Sequence, residues 1–178
     1  MDKEALIEKR YVFTEGIIKV RDDIVILPNG KTTKRNVVEH CGGCAILIVD
    51  KKDNSAYFVR QYRYALEKEL LELPAGKLEI GENHFQTAMR ESQEEVGILP
   101  INLHYLGYFY PTCGYSNEII HLYYTEDYTL NKLSLDDDEF LEPLKIRLDD
   151  AYRMIYDGTI TDGKTIVALL KYKELNNE

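Results

Sequence analysis

Three glutamates, Glu91, Glu94 and Glu95, are spaced so that they fall on one face of a helix. Residues at positions i, i+3 and i+4 are neighbours on a helix surface, and like charges at these positions repel each other. Carboxylate oxygens are also the ligands that Mg²⁺ takes in proteins, together with the phosphates of a substrate. The pattern therefore indicates either a solvated acidic helix face or a site for a divalent cation.

The helix that carries these glutamates has sequence signals at both ends. Asn83 and Gln86 have the spacing of a capping box, and Gly97 is typical of the position after a helix end. A stripe of four residues recurs between them at helical spacing: Phe85, Met89, Ser92 and Val96. We expect this stripe to face the core and the three glutamates to lie on the opposite face.

A longer pattern surrounds this helix. Gly76 is followed after five residues by Glu82, and after seven more by the run Arg90-Glu91-Ser92-Gln93-Glu94-Glu95-Val96-Gly97-Ile98. This segment resembles the Nudix signature Gly-x5-Glu-x7-Arg-Glu-U-x-Glu-Glu-x-Gly-U, in which U is a bulky apolar residue. Every fixed position is matched. Ser92 departs from the pattern at a U position, which concerns packing and removes no ligand.

The resemblance implies a divalent metal site, with Mg²⁺ expected and Mn²⁺ as the other candidate ion. In the family this segment is a loop–helix–loop that holds the metal against a diphosphate. The expected metal ligands are the carbonyl of Ala75 and the carboxylates of Glu82, Glu91, Glu94 and Glu95, of which Glu82 supports the loop or reaches the metal through water. Glu94 and Arg90 are also expected in the catalytic centre, where Arg90 orients the carboxylates through ion pairs.

Flanking segments are similar to those of one Nudix subfamily, the ADP-ribose pyrophosphatases. Residues 111–118 are similar to its Pro-Ser-Pro-Gly-x-x-x-Glu segment, with Cys113 in place of the second proline, and residues 60–63 resemble its Arg-Gln-Tyr-Arg strand end, whose last arginine contacts the diphosphate. The substrate-binding residues implied by these likenesses are Arg60, Arg63, Pro111, Gly114 and Glu118. Taken singly, each segment also fits a turn or a surface arginine.

The general base is expected in an acidic segment at residues 136–142, which resembles the acidic loop of the same subfamily. Glu139 is the first candidate, Asp137 the second and Glu142 the third. A loop that carries the base could close the site after the substrate binds. The alternative for this segment is a solvated acidic loop.

The order of apolar and turn segments favours an α/β fold. Ala45–Val49 is a short apolar run typical of a buried strand, and residues 56–63 are aromatic and β-branched. The resemblance makes this a Nudix α/β/α sandwich with a mixed β-sheet core at residues 41–178, preceded by an antiparallel β layer at residues 1–40. In the subfamily that layer joins two subunits, which implies a homodimer.

Composition narrows the classes of function. The chain of 178 residues is 44% apolar and 30% charged, values typical of a globular domain. Its net charge of −9 disfavours nucleic-acid binding, because phosphates would be repelled. The longest apolar run falls far short of the roughly 20 residues of a membrane span. We therefore expect a cytoplasmic protein whose partners include neither nucleic acid nor membrane.

Cys41 and Cys44 have the spacing of a CxxC motif, which raises the alternative of redox or zinc chemistry. A redox pair would open a helix, whereas Cys44 leads directly into an apolar strand. A structural zinc site would need further Cys or His ligands at suitable spacing. Small residues at the start of a buried strand are the preferred interpretation.

The expected activity is metal-dependent hydrolysis of the diphosphate linkage in a nucleoside diphosphate sugar. ADP-ribose, which would yield AMP and ribose 5-phosphate, is the expected substrate. Two alternatives remain: a Nudix enzyme that acts on a GDP- or UDP-sugar, NADH or a dinucleoside polyphosphate, and a non-catalytic nucleotide-binding module. A module that has lost catalysis would be expected to lack signature glutamates, and this chain retains all of them.

Overall fold

The computed structural model describes residues 2–134 and 140–176 and divides the chain into two compact units. The first unit runs to Gly42 and includes Tyr110–Ile119. The second consists of Gly43–Phe109 and the chain from Ile120 onward. No helix in the described part of the chain combines the length and the apolar content needed to cross a bilayer.

The first unit is built on a four-stranded antiparallel sheet. Its strands are β1 (Ala5–Glu8), β2 (Tyr11–Phe13), β3 (Ile18–Ile26) and β4 (Thr32–His40). Strand β3 pairs with each of the other three. A turn at Pro28-Asn29-Gly30 connects β3 to β4, and Gly30 has the positive φ of 80° that glycine adopts without strain. The predicted N-terminal antiparallel layer is therefore present.

The second unit contains a seven-stranded mixed sheet. Its strands are β5 (Gly43–Asp50), β6 (Ser55–Arg63), β7 (Lys68–Glu72), β8 (Ala75–Lys77), β9 (Ile98–Phe109), β10 (Ile120–Leu130) and β11 (Leu141–Arg147). They are arranged in the order β11-β6-β5-β10-β9, with β7 paired to β6 and β8 paired to β5. The helices are α1 (His84–Val96), α2 (Leu148–Tyr156) and α3 (Gly163–Leu175). Strands β5 and β10 run parallel, whereas the remaining pairs are antiparallel.

Strand β5 is buried on both faces because helices cover both sides of the sheet. Ala45, Leu47 and Val49 belong to the core cluster that includes residues of α2 and α3. Cys44, Ile46 and Ile48 belong to the cluster on the other face, which includes Ala88 of α1. Successive side chains of a strand point to opposite faces, so one continuous apolar run serves both clusters. Each fully buried Ile or Leu stabilises the fold by roughly 1.5–3 kcal/mol relative to an exposed one.

The architecture confirms the predicted α/β/α sandwich with a mixed sheet. It differs from the sequence-based division at one segment, since Tyr110–Ile119 belongs to the first unit, whereas the division at residue 40 assigns it to the second. Within the first unit, Val38 N–H donates to the carbonyl of Tyr115 at 2.7 Å, and Asn117 N–H returns a bond to Val38 at 3.2 Å. The placement of a domain boundary at residue 40 stays a prediction.

Helix α1 begins and ends where its sequence signals predict. The side chain of Asn83 accepts hydrogen bonds from the N–H groups of Phe85 and Gln86, both at 3.0 Å. The Gln86 side chain in turn accepts the Asn83 N–H at 3.0 Å, which completes the capping box. Gly97 closes the helix with a φ of 71°. These local bonds fix the rotation and the start of the helix that carries the three glutamates.

Candidate active site

Two of the three helix glutamates are buried, contrary to the prediction that they lie on the face opposite the core. Glu91 is 5% exposed and Glu95 is 3% exposed, whereas Phe85, expected in the core, is 46% exposed. Ala88 and Ser92 are fully buried on the same helix. The prediction was wrong because it treated all three glutamates as residues of the exposed face, whereas the burial of Ser92 agrees with it. In this fold the glutamates are buried because other groups of the site compensate their charge.

Arg90 is the first compensating group. Its guanidinium donates to Glu82 through Nε at 3.0 Å and to Glu94 through Nη1 at 2.8 Å, and it pairs with Glu91 at 2.8 Å. Burial lowers the pKa of Arg90, but the bonds to Glu82 and Glu94 and the charge of Glu91 outweigh it and raise the pKa overall. The same bond with Arg90 is the main cause that lowers the pKa of Glu82. Arg90 thus pairs with three carboxylates of the signature, and its role in orienting them for catalysis stays a prediction.

The strand β8 segment supplies the second compensation. Ala75 N–H donates to the carboxylate of Glu95 at 2.9 Å. The carboxylate of Glu91 lies against the Cα of Gly76, so closely that a Cβ at Gly76 would overlap Oε1 and stand 2.7 Å from Oε2. Residues 75 and 76 and the helix glutamates therefore form one contiguous site, and only glycine at position 76 leaves room for Glu91.

Ser92, the residue that departs from the Nudix pattern, is accommodated by hydrogen bonds. Its side chain is fully buried, and its hydroxyl lies 2.9 Å from the carbonyl of Ile98 and 3.0 Å from that of Met89. A buried hydroxyl without a partner would be destabilising, so these bonds explain how serine fits a position of the core. The departure is a matter of packing and leaves the carboxylates unchanged.

The carboxylates of this site are the kind of ligand that a hard divalent cation such as Mg²⁺ prefers. Arg90 pairs with the carboxylates of Glu82, Glu91 and Glu94, and the carboxylate of Glu95 accepts the Ala75 N–H nearby. These four carboxylates carry an excess of negative charge that a divalent cation would offset. Within residues 2–134 and 140–176, however, no three His, Cys, Asp or Glu side chains converge on one point as metal ligands do. Ligation by these groups would therefore require side-chain rotations.

Arg63 is held by a residue that the sequence reasoning missed. Its guanidinium makes two parallel bonds to the carboxylate of Glu72, each 2.6 Å long. Lys164 pairs with the same carboxylate. Burial would raise the pKa of Glu72, but the bonds and charges of Arg63 and Lys164 lower it. A single acidic residue within the apolar run Leu70-Leu71-Glu72-Leu73 is the signal that could have identified it.

The start of helix α3 is tied to the same strand segment. Asp162 caps the helix by accepting the N–H of Thr165 at 3.0 Å and its hydroxyl at 2.6 Å. The Thr165 oxygen accepts the N–H of Leu73 at 2.8 Å. Lys164 also pairs with Asp162, at 3.1 Å. The start of α3 thereby fixes the backbone that leads from Glu72 to Ala75.

Two further predicted residues, Arg60 and Glu142, bind each other. They lie opposite each other on β6 and β11 and form an ion pair of 2.8 Å, with both side chains largely exposed. Glu142 thus belongs to a strand, which corrects the expectation that it is part of a loop. Asp137 and Glu139, the preferred candidates for the base, lie outside the described residues. The roles of all four stay predictions.

The remaining predicted substrate-binding residues, Pro111, Gly114 and Glu118, lie in the first unit. Their segment forms a turn in which Tyr115 and Ser116 donate their N–H groups to the carbonyl of Thr112 at 3.1 and 3.0 Å. The carboxylate of Glu118 lies 3.4 Å from a nitrogen of the His40 ring in the same unit. Contact of these residues with a substrate stays a prediction.

The surroundings of Cys44 do not favour a redox role for the CxxC motif. Both cysteines are free thiols, Cys41 exposed and Cys44 buried. Burial, with the negative charge of Glu91 as a second cause, raises the pKa of Cys44 to about 12. The thiolate is the reactive form, so Cys44 is unreactive near neutral pH. This supports the interpretation of Cys44 as a small buried strand residue.

Comparison with known proteins gives the site a context. A model of the NUDIX domain matches residues 40–168. A methanol dehydrogenase activator from Bacillus methanolicus is 38% identical, with 94% of this chain and 91% of the relative aligned. An ADP-ribose pyrophosphatase from Bacillus subtilis is 37% identical over 97% of this chain and 95% of its own. A GDP-mannose pyrophosphatase from Yersinia enterocolitica is 30% identical over 80% and 78%.

A solved structure described as an ADP compounds hydrolase has the same fold. It superimposes with a TM-score of 0.86 and covers 98% of this chain and 95% of its own, at 20% sequence identity. At that identity the likeness concerns the fold alone. The matched NUDIX region contains Arg63, Glu72, Arg90 and the glutamates of α1.

Proposed function

The chain belongs to the Nudix family, and from that premise we propose that it hydrolyses the diphosphate linkage of a nucleoside diphosphate sugar. The proposed substrate is ADP-ribose, which reacts with one water molecule to give AMP and ribose 5-phosphate. The near full-length similarity to the ADP-ribose pyrophosphatase of Bacillus subtilis supports this choice.

One structural observation carries the proposal. The start of the signature at residues 75 and 76 contacts the glutamates of helix α1: the N–H of Ala75 donates to the carboxylate of Glu95, and Gly76 leaves room for the carboxylate of Glu91. A helix with a solvated acidic face, the alternative weighed from the sequence, would leave these carboxylates exposed. Burial of charged groups requires compensation and is costly without it, so this cluster indicates a site rather than a surface.

The residues of the chain have separable tasks in the proposed reaction. Arg63 donates charge-assisted hydrogen bonds to the diphosphate oxygens. Arg90 holds Glu82, Glu91 and Glu94 in position. The proposed metal ligands are Glu91, Glu95 and the Ala75 carbonyl, with Glu94 and Glu82 nearby. A bound Mg²⁺ or Mn²⁺ would neutralise the diphosphate and polarise its oxygens.

The general base is proposed to be Glu139, which would accept the proton of the attacking water. General-base catalysis contributes typically 10²–10⁴-fold to a rate. Replacement of Glu139 by glutamine is therefore expected to lower kcat by about 100-fold or more, with the affinity for metal unchanged. A loss of only a few-fold would transfer the role to Asp137, and Glu142, which is paired with Arg60, would follow as the third candidate.

The test of the proposed function is the release of AMP from ADP-ribose with Mg²⁺ or Mn²⁺, compared between the wild-type protein and Glu95→Gln. Turnover near the common enzymatic range of roughly 1–10³ per second, abolished in the variant, would support the class and the substrate. Metal-dependent turnover on a GDP- or UDP-sugar, NADH or a dinucleoside polyphosphate alone would retain the class and replace the substrate. No turnover on any of these compounds would favour a nucleotide-binding module.

A second candidate function is the activation of a methanol dehydrogenase. The relative with that name is as similar to this chain as the pyrophosphatase is, at 38% against 37% identity. Addition of the protein to a purified methanol dehydrogenase would test it directly. An increase in the rate of alcohol oxidation that Glu95→Gln abolishes would link activation to hydrolysis.

A homodimer formed through the N-terminal layer is also proposed. Leu6, Ile7, Val12 and Phe13, on β1 and β2, are each 45–58% exposed, which is an unusual concentration of apolar surface for a monomer. Sedimentation at micromolar concentration should give twice the mass of 20.7 kDa. A monomer would contradict the proposal.

The cytoplasmic location is likewise a proposal, which cell fractionation would test.

A further inference from the structure

We propose that Glu72 is a positioning residue that holds the guanidinium of Arg63 and the ammonium of Lys164 in a fixed arrangement for the diphosphate of the substrate. This inference rests on the proposed function. It assigns a role to a residue outside the Nudix signature, and it names Lys164 as a second cation of the same site.

The geometry at Glu72 is that of a clamp. Glu72 is 1% exposed, and each of its oxygens accepts a bond of 2.6 Å from Arg63. Oε2, which accepts the Nη2 bond of Arg63, also accepts a bond from Lys164. Two parallel bonds between a guanidinium and a carboxylate fix the orientation of the arginine plane as well as its distance. The two cations are neighbours because they share one oxygen.

The clamp leaves Arg63 able to bind a ligand. The bonds to Glu72 use two of the five N–H groups of the guanidinium. The Arg63 side chain is 40% exposed, whereas Glu72 lies beneath it with almost no exposure. Glu72, which binds Arg63, is three residues from Ala75, and the N–H of Ala75 binds Glu95 at 2.9 Å, so one short segment connects Arg63 to the acidic cluster. A diphosphate that binds the acidic cluster through a metal ion would therefore contact the exposed side of the Arg63 guanidinium.

Lys164 connects the clamp to helix α3. Its side chain is 14% exposed and pairs with Glu72 and Asp162. Asp162 caps the helix, and Thr165 accepts the Leu73 N–H at 2.8 Å. The start of α3 thus fixes both the side chain of Glu72 and the backbone next to it.

The short segment from the end of β7 to the start of β8 therefore sets the spacing of the site. The side chain of Glu72 orients Arg63, and three residues later the N–H of Ala75 binds Glu95 at 2.9 Å. The cation that binds the diphosphate and the carboxylate that binds the metal are held by the same backbone. This arrangement explains a buried acidic residue in a position that is otherwise apolar.

The test is a double-mutant cycle of Glu72→Gln and Arg63→Met, with Glu69→Gln as the matched control. Glu69 is exposed on the same strand, β7. The readouts are kcat and KM for ADP-ribose and, independently of turnover, the affinity for inorganic pyrophosphate measured by calorimetry. If Glu72 acts chiefly through Arg63, the Glu72→Gln change weakens pyrophosphate binding about tenfold or more in the wild-type background. In the Arg63→Met background its effect is smaller, because Glu72 then still positions Lys164 but no longer Arg63.

A spectroscopic readout separates positioning from stability. The Nε–H resonance of Arg63 in an ¹⁵N-labelled sample, assigned through Arg63→Met, reports the bond to Glu72. It should shift in Glu72→Gln and stay in place in Glu69→Gln. Glu72→Gln leaves two cations without their anionic partner, which can prevent folding. In that case the double variant Glu72→Gln/Lys164→Met, which removes one of the two cations, is compared with the single variant Lys164→Met.

The outcomes distinguish this inference from the proposed function. An unchanged Arg63 resonance in Glu72→Gln, or an equal loss of pyrophosphate affinity in both backgrounds, would overturn the positioning role. A wild-type protein that hydrolyses no diphosphate would overturn the proposed function, and the pyrophosphate and resonance measurements would still decide the role of Glu72.

Discussion

Replacement of Gly76 by alanine is expected to disable the site while the protein stays folded. The backbone at Gly76 has an ordinary φ, so the added methyl group is the only change that matters. That methyl group would overlap Oε1 and Cδ of Glu91 and lie 2.7 Å from Oε2. The carboxylate must move by more than about 1 Å to restore a normal contact. A displacement of this size in a catalytic group can reduce activity about 100-fold.

The cost in stability should be smaller, because the group that must move is the end of a side chain. The displaced carboxylate loses its 2.8 Å contact with Arg90, which is worth about 1–3 kcal/mol. For a chain of this length the Tm should fall by roughly 2–12 °C. Gly163→Ala is the matched control, because a Cβ there meets no atom within 4 Å and φ is not positive.

The assays are metal-dependent release of AMP from ADP-ribose, titration of Mn²⁺ by calorimetry, and thermal unfolding. The expected result is a folded Gly76→Ala protein with about 100-fold lower kcat/KM and weakened Mn²⁺ binding, beside a Gly163→Ala protein like the wild type. Activity and Mn²⁺ affinity within threefold of wild type in Gly76→Ala would refute the assignment of Glu91 as a metal ligand held by this loop.

Three further predictions concern charge. Arg90→Met should lower the free energy of unfolding, measured in urea, by about 2 kcal/mol or more, because several carboxylates lose their common partner. As a control, Arg147→Met, at an exposed arginine, should change it by less than about 0.5 kcal/mol. Equal effects of the two substitutions would contradict the conclusion that Arg90 compensates the charge of the buried glutamates. The pKa of Glu72 is lowered in the folded state, so its contribution to stability should be complete above its unfolded pKa of about 4.3 and should disappear as the pH falls through the lower folded value. In acid unfolding experiments the stabilities of the wild type and Glu72→Gln should therefore converge at low pH. Iodoacetamide at pH 8 should label Cys41 and Cys113 and spare Cys44, because Cys44 is buried and its pKa is about 12. A third adduct in the mass spectrum would contradict this prediction.

The parts of the fold that were predictable from sequence are those specified by nearby residues. The Asn83 capping box and Gly97 defined the ends of α1 because each forms bonds within its own turn. The apolar run at Ala45–Val49 predicted β5 because a strand covered on both faces needs no alternation of polar residues. The cluster around Arg90 followed from the Nudix resemblance and its helical spacing.

The parts that escaped prediction depend on partners far away in the chain. Burial of Glu95 requires the N–H of Ala75, and burial of Glu72 requires Arg63 and Lys164. Hydrophobic periodicity treats a glutamate as exposed and carries no information about such partners. The parallel pairing of β5 with β10 is likewise a contact between distant segments.

The two halves of the site differ in how far apart their members lie along the chain. Ala75 and Glu95 are separated by 20 residues, whereas Glu72 and Lys164 are separated by 92. Closing the longer loop costs about 1.3 kcal/mol more in chain entropy, from the logarithmic dependence on loop length. Contacts between distant segments also slow folding. The acidic half can therefore assemble from its own neighbourhood, whereas Lys164 joins Glu72 and Arg63 only when α3 docks. Native-state hydrogen exchange should accordingly find that α3 opens at a lower free energy than α1.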